Sequence, residues 1–136
     1  MERLSERLEL AKKALSALDE VLKQPYSKII RDASIQRFEF TLEAVWKLAQ
    51  RYLLLQEGLE LGSPKAVIRG CFQAGLLDEK QTEVLLQAVD DRNLTVHTYN
   101  EALAEQIYQN LLKYQPVLNQ LYAAIRDYVE ASRSNG

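Results

Sequence analysis

The chain has 136 residues, of which 47% are hydrophobic and 26% are charged, a composition that fits one globular domain and is too apolar for a disordered protein. The formal charge of −2 excludes a global basic field for nucleic acid or an anionic membrane, so any RNA contact would have to be local. The single cysteine, Cys71, excludes an intramolecular disulfide framework and indicates a reducing compartment.

The N-terminal residues are charged and lack the apolar segment of a signal peptide. No run of the sequence approaches the roughly 18 consecutive apolar residues of a membrane helix. We therefore expect a cytoplasmic protein without a membrane partner.

The first predicted helix covers residues 2–23, because its apolar residues recur at steps of three and four: Leu4, Leu8, Ala11, Leu15, Leu18 and Leu22. Residues 24–27, with Pro25, end this pattern. A second helix is predicted for residues 28–56. Gly58 is expected to close it as the left-handed residue that follows the last turn.

A short third helix is predicted to begin at Ser63 and Pro64, with Ser63 as the N-cap and Pro64 at the first helical position. It is expected to end near Gly75. Asp78 and Gln81 have the spacing of a capping box, so they predict the start of a fourth helix.

The fourth helix is predicted to run through Asp90 and Asp91 into residues 92–97. Thr98 and Glu101 again have capping-box spacing, which predicts a break and a restart near Tyr99. A last helix is expected over residues 100–131, kinked or divided at Pro116 because proline removes one backbone hydrogen bond.

These segments predict an all-α fold, an antiparallel up-and-down four-helix bundle with one additional short helix. We expect a single domain over residues 1–136. Residues 132–136 are expected to form a frayed tail.

The segment Arg92–Tyr99 brings several polar residues together at a helix end. Arg92 lies in line with the apolar face of its helix, where an arginine is costly unless it is paired or opens onto a cleft. His97, the only histidine, shares a different face with Asp90 and Asn93. On a regular helix Arg92 and His97 point roughly 140° apart, so both act on one target only if the helix distorts or a second chain contributes.

The residue types in this segment suit cleavage of RNA without a metal ion. That reaction needs a base for the 2′-hydroxyl, an acid for the leaving oxygen and a cation for the developing charge. Histidine suits proton transfer near neutral pH, and arginine grips phosphate. One chain offers one histidine, whereas a two-fold dimer would offer two. Thr95 is a further polar residue of the segment.

Structural interpretations of the same residues stay open. Arg92 could pair with Asp91 or with a carboxylate on a neighbouring helix, and His97 could cap the end of its helix. The charged residues of the second helix, Arg37, Glu43 and Lys47 with Glu39, form either a solvated face or a polar groove beside the site.

Other residues are expected to be structural. Trp46 is interpreted as core or interface packing rather than a base-stacking platform, and Cys71 as a small buried apolar residue. No Cys/His cluster or phosphate-binding loop is present in the sequence. We therefore predict no metal site and no cofactor.

Four segments of the sequence carry a resemblance to a known family. In order they are residues 37–47 (RFEFTLEAVWK), 62–69 (GSPKAVIR), 74–77 (AGLL) and 91–101 (DRNLTVHTYNE). The last contains the pattern R-x4-H-x-Y, formed by Arg92, His97 and Tyr99. Over roughly residues 5–125 the chain resembles the nucleotidyltransferase substrate-binding proteins of the HEPN superfamily.

The resemblance implies a helical homodimer that works with a separate minimal nucleotidyltransferase and is not that transferase itself. It implies two alternative functions. In one, the chain is a toxin-type, metal-independent endoribonuclease that uses Arg92 and His97 and is silenced when the transferase adds nucleotide to Tyr99. In the other, it is a non-catalytic subunit that binds the substrate or nucleotide. Asp90, Asn93, Thr95, Arg37, Glu43 and Lys47 are candidate supporting or binding residues.

Overall fold

The fold is all-helical in the computed structural model, which describes residues 2–135. Its helices are α1 (Glu2–Leu22), α2 (Lys28–Glu57), α3 (Pro64–Gln73), α4 (Glu79–Leu94) and α5 (Glu101–Asn135), with a 3₁₀ turn at Thr95–His97. This confirms the predicted bundle of four main helices and one short helix. No helix in the described residues has both the length and the apolar character needed to cross a membrane.

The helix starts follow the local signals in the sequence. Ser27 and Ser63 each accept a backbone N–H from the first turn of α2 and α3. Asp78 and Gln81 form both hydrogen bonds of a capping box at α4. Gly58 adopts a φ of 67° after α2, a left-handed conformation that glycine reaches without steric cost.

The start of α5 differs from the prediction, because Asn100 and not Thr98 is its N-cap. The side-chain oxygen of Asn100 accepts the N–H of Leu103 at 3.1 Å. The Thr98 hydroxyl instead donates to the carbonyl oxygen of Thr95 at 2.9 Å and so belongs to the preceding 3₁₀ turn. The helix therefore begins at Glu101, close to the predicted restart near Tyr99, but its cap is Asn100 and not Thr98.

The prediction that Pro116 could divide the last helix was wrong, because α5 runs without interruption from Glu101 to Asn135. Pro116 lies on the exposed side of the helix, whereas Tyr114 and Leu118 beside it are completely buried. Packing of these neighbours holds the helix together where one backbone hydrogen bond is missing.

Residues 132–135, which were expected to form a frayed tail, continue α5 as helix. Arg133 donates a hydrogen bond to the Ser5 hydroxyl of α1, and this contact joins the two ends of the chain. Gly136, the last residue of the predicted tail, lies outside the described residues.

The core lies around α2, which contacts all four other helices. Phe38 of α2 stacks on Tyr114 of α5 with ring centroids 5.7 Å apart. The Tyr114 hydroxyl donates to Asp91 at 2.5 Å, and Asn110 donates to the same carboxylate oxygen at 3.0 Å. Burial, together with this carboxylate, raises the pKa of Tyr114. Asp91 thereby fixes the end of α4 against α5, directly before the polar segment.

Candidate functional site

The polar segment Arg92–Tyr99 begins in the last turn of α4, which ends at Leu94, and continues into the 3₁₀ turn Thr95–His97. Thr95 is buried, and its hydroxyl donates to the carbonyl oxygen of Arg92 at 2.7 Å. The same hydroxyl accepts a hydrogen bond from Nη1 of Arg92 at 3.3 Å. The helix therefore distorts between Arg92 and His97, which is one of the two conditions under which both could serve one target.

Arg92 is half-buried, with 37% of its side chain exposed, and Nη1 lies 3.5 Å from Oε2 of Glu39 on α2. The carboxylate partner is thus on a neighbouring helix and is not Asp91. Arg92 also lines a small cleft of about 140 Å³ between α2, α4 and the start of α3. The remaining lining residues are Leu42, Glu43, Trp46, Pro64, Val89 and Asn93.

Glu43 forms the polar wall of this cleft together with its neighbours on α2. Lys47 lies 2.8 Å from one carboxylate oxygen of Glu43, and the indole N–H of Trp46 donates to the other at 3.0 Å. The hydrogen bond from Lys47, supported by that from Trp46, lowers the pKa of Glu43. Glu43 is therefore a carboxylate at neutral pH and has no proton to donate there.

His97 and Tyr99 form a second group at the surface, beyond the 3₁₀ turn. Nδ1 of His97 lies 3.3 Å from the Tyr99 hydroxyl oxygen. The two rings meet edge to face with centroids 5.8 Å apart. Tyr99 is 82% exposed, and Leu94 and Val96 in the same segment are exposed apolar residues. A neutral imidazole that carries its proton on Nε2 can accept the tyrosine proton at Nδ1.

The remaining predicted residues are held by other contacts. Asp90 pairs with Lys65 of α3 at 2.6 Å, and Arg37 donates to the carbonyl oxygen of Ala17 on α1 at 2.7 Å. The structure thus places Arg92, Asn93 and Glu43 at one cleft, with Lys47 behind Glu43. Within residues 2–135, no hydrogen bond or salt bridge joins Arg92 with His97.

Two functional side chains were not predicted as site residues, namely Glu39, which pairs with Arg92, and Trp46, which lines the cleft. Both lie on the same side of α2 as Glu43, since positions 39, 43 and 46 are spaced i, i+4 and i+7. That spacing was a usable signal. The pairing of Glu39 with Arg92 depends on how α2 and α4 are aligned. No local pattern in the sequence predicts that alignment.

Residues 6–127 match the family described as nucleotidyltransferase substrate binding protein like. The chain belongs to this family. The match covers all four segments that carried the resemblance in the sequence and includes Arg92, His97 and Tyr99. No curated protein matches the chain significantly.

Solved structures of similar fold agree with the family. A protein from Thermus thermophilus is 48% identical, with a TM-score of 0.83, over 85% of this chain and 98% of that one. HI0074 from Haemophilus influenzae has the fold of a substrate binding domain of a nucleotidyltransferase. It is 20% identical, with a TM-score of 0.72, over 88% of this chain and 98% of that one.

A third similar structure is a tri-AMPylated HEPN toxin from Shewanella oneidensis in complex with an MNT antitoxin. It is 18% identical, with a TM-score of 0.68, over 91% of this chain and 96% of that one. At 18% identity, the similarity between this chain and the toxin shows that they share a fold.

Proposed function

We propose that this chain is the helical HEPN subunit of a two-component minimal nucleotidyltransferase pair. In this proposal it is a metal-independent ribonuclease of the toxin type, and nucleotidylation of Tyr99 silences it. The observation that carries the proposal is the 3.3 Å contact between His97 and the highly exposed Tyr99 hydroxyl. The similar fold of a tri-AMPylated HEPN toxin bound to its antitoxin supports a separate transferase partner.

The catalytic roles follow from the chemistry of the side chains. The imidazole of His97 takes the proton of an RNA 2′-hydroxyl, whose oxygen attacks the adjacent phosphorus. The bond from phosphorus to the 5′-oxygen breaks, a second histidine protonates that oxygen, and a 2′,3′-cyclic phosphate remains. The guanidinium of Arg92 stabilises the charge that builds on the phosphorane oxygens.

Arg92 is available for this role because its partner holds it weakly. Its ion pair with Glu39 spans 3.5 Å, and both side chains are about one-third exposed. Exposed ion pairs contribute only about 0–1 kcal/mol. A phosphate group can therefore displace Glu39 and bind the guanidinium through two parallel hydrogen bonds.

The second histidine must come from a second copy of the chain, since this one contains a single histidine. We propose a two-fold homodimer in which the Arg92–Tyr99 segments of both copies meet. Leu94 and Val96 support this arrangement, because they are exposed apolar residues next to His97. Burial of such side chains between two copies would favour association.

Silencing is explained by the position of Tyr99. The tyrosine oxygen attacks the α-phosphorus of a nucleoside triphosphate held by the transferase, pyrophosphate leaves, and the phenol proton passes to a base. Nδ1 of His97 lies within reach of that proton. The product is a phosphodiester beside His97, whose bulk and negative charge exclude an RNA phosphate from the same place.

The test is cleavage of RNA by the purified protein in the presence of a metal chelator. Wild type is expected to cleave, and His97→Ala to be slower by about 100-fold or more, the usual contribution of a positioned acid or base. Tyr99→Phe is the matched control, because it alters the same surface group but keeps the histidine. Equal cleavage by wild type and His97→Ala would contradict the proposal.

The second candidate is a non-catalytic subunit that binds substrate or nucleotide for the transferase. The observation that favours it is the cleft of Arg92, Trp46 and Glu43, which lacks a direct contact to His97. This candidate predicts that nucleotide or transferase binding, measured by calorimetry, is the same for wild type and His97→Ala. Absence of binding to either ligand would exclude it.

A further inference from the structure

A second cavity, of about 300 Å³, lies between the start of α1, the second half of α2 and the loop before α3. Four cationic residues line it, and we call it the basic pocket: Arg3, Arg7, Lys47 and Arg51. The only carboxylate in its lining is Glu60. This local excess of positive charge stands in a chain whose formal charge is −2.

The helix geometry places like charges next to one another in this pocket. Arg3 and Arg7 are four residues apart on α1, and Lys47 and Arg51 are four residues apart on α2. Like charges at this spacing repel each other along a helix. Since both pairs face one cavity, the repulsion also acts between the helices. An anion in the pocket would offset these repulsions, because it attracts each of the cations.

The arginines of the basic pocket form no salt bridge with a carboxylate among the side chains that the structure describes. The fourth cation, Lys47, pairs with Glu43. Within the described residues, the buried Nε of Arg51 also has no hydrogen-bond acceptor. A buried donor without an acceptor is costly. The Nε–H would gain this acceptor from a bound phosphate only if the Arg51 side chain turned toward the pocket, because Nε itself has almost no solvent-accessible surface.

The walls of the pocket are preformed. Gln50 of α2 donates to the carbonyl oxygen of Leu61 at 2.7 Å and so holds the loop before α3 against the helix. Leu54 and Leu61 add apolar side chains to the lining. A cavity with convergent cations and apolar side chains suits a phosphate attached to a sugar or base.

We propose that the basic pocket is a binding site for a phosphate group, carried by a free nucleotide or by an RNA strand. Its position favours a ligand that also reaches Arg92. Lys47 of the pocket and Glu43 of the Arg92 cleft are joined by their 2.8 Å salt bridge. Gly62 of the pocket and Pro64 of the cleft are two residues apart. This proposal does not depend on RNA cleavage, because the pocket needs only to bind a phosphate group.

The experiment measures binding to the full chain at low salt with three probes. They are pyrophosphate, ATP without metal, and a fluorescent 2′-O-methyl oligouridylate of about eight nucleotides, which spans a typical single-strand site and cannot be cleaved. The test variant is Arg7→Gln/Arg51→Gln. The control variant is Lys13→Gln/Lys80→Gln, which removes the same charge at exposed positions outside the pocket.

Wild type is expected to bind at least one probe, and Arg7→Gln/Arg51→Gln to bind it about tenfold or more weakly, since each lost arginine removes a charge-assisted contact. The control variant should stay within about twofold of wild type. For the oligonucleotide, the slope of log affinity against log salt should fall by about 0.7 for each lost phosphate contact. Binding of ATP and pyrophosphate alone identifies a free nucleotide as the ligand, whereas binding of the oligonucleotide identifies a strand.

Equal weakening in both double variants, or no binding of any probe to wild type, would overturn the proposal. If the double variant does not fold by circular dichroism, Arg51→Lys replaces it. That variant keeps the charge but loses Nε and the bidentate geometry, and it should still weaken binding. Pyrophosphate is not an RNA substrate, so its binding is measured independently of RNA cleavage. The proposed phosphate site and the proposed ribonuclease can therefore fail separately.

Discussion

Thr95 contacts Arg92 at two points, through the carbonyl oxygen at 2.7 Å and through Nη1 of the guanidinium at 3.3 Å. One hydroxyl thus both closes the turn after α4 and orients the cation of the cleft. Since Thr95 is buried, water cannot easily take over these two hydrogen bonds. The orientation of Arg92 is therefore coupled to the end of its own helix.

The variant Thr95→Val tests this coupling, because valine keeps the shape and removes the hydroxyl. We expect the free energy of unfolding to fall by roughly 1 kcal/mol, the usual net value of a hydrogen bond. RNA cleavage should fall by about tenfold, since a misplaced guanidinium stabilises the transition state less well. Chemical denaturation and a cleavage assay measure the two effects. Thr98→Val is the control, and a loss of cleavage in Thr98→Val as large as in Thr95→Val would contradict a specific role for Thr95.

The stability of the protein is expected to depend on pH, because the buried Arg31 pairs with Glu101 at the start of α5. Arg31 is 2% exposed and lies 2.7 Å from Glu101, two residues after Tyr99. Its hydrogen bond lowers the pKa of Glu101. Because the pKa is lower in the folded state, this stabilisation is complete at neutral pH and is lost as the pH falls and the carboxylate becomes protonated.

Glu101→Gln should therefore melt at a lower temperature than wild type at about pH 7, and the difference should shrink toward about pH 3. Thermal unfolding followed by circular dichroism provides the measurement. Glu83→Gln, at an exposed position of α4, serves as the control and should follow wild type at both values. A difference for Glu101→Gln that does not change with pH would contradict this assignment.

Pro116 offers a test of how tertiary packing maintains α5. Replacement by alanine restores a backbone N–H and removes the clash one turn earlier, so Pro116→Ala should raise the free energy of unfolding by about 2 kcal/mol. Gln109→Ala, at an exposed position of the same helix, should change stability by less than about 0.5 kcal/mol. Denaturant titration distinguishes the two variants. A destabilised Pro116→Ala protein would mean that the proline itself shapes the helix.

Local signals in the sequence predicted most of the fold. Two helix starts were predicted correctly because each is specified by a cap of at most four consecutive residues. They are Ser63 with Pro64 at α3, and Asp78 with Gln81 at α4. The cap at Asn100 was missed because Thr98 satisfied the same spacing, and only its hydrogen bond to Thr95 removes it from that role. This error arose because Thr98 and Asn100 are both suitable cap residues within the same short stretch.

The site was less predictable, because it depends on the alignment of distant helices. The sequence predicted the Arg92–Tyr99 segment as the candidate site from its family pattern, but it did not identify Glu39 as the partner of Arg92. The basic pocket was missed for the same reason, since Arg7 and Arg51 are ordinary surface cations until α1 and α2 are packed together. The formal charge of −2 gave no sign of the basic pocket, because it sums the charges of the whole chain and acidic residues elsewhere offset these cations.

Silencing at Tyr99 is tested most directly by the rate of RNA cleavage by one protein preparation before and after incubation with the partner nucleotidyltransferase and ATP. Wild type is expected to lose cleavage as its intact mass increases by one or more nucleotidyl groups. Tyr99→Phe is expected to keep both its mass and its activity. Silencing of Tyr99→Phe to the same extent as wild type, or full activity of a modified wild-type protein, would contradict the account.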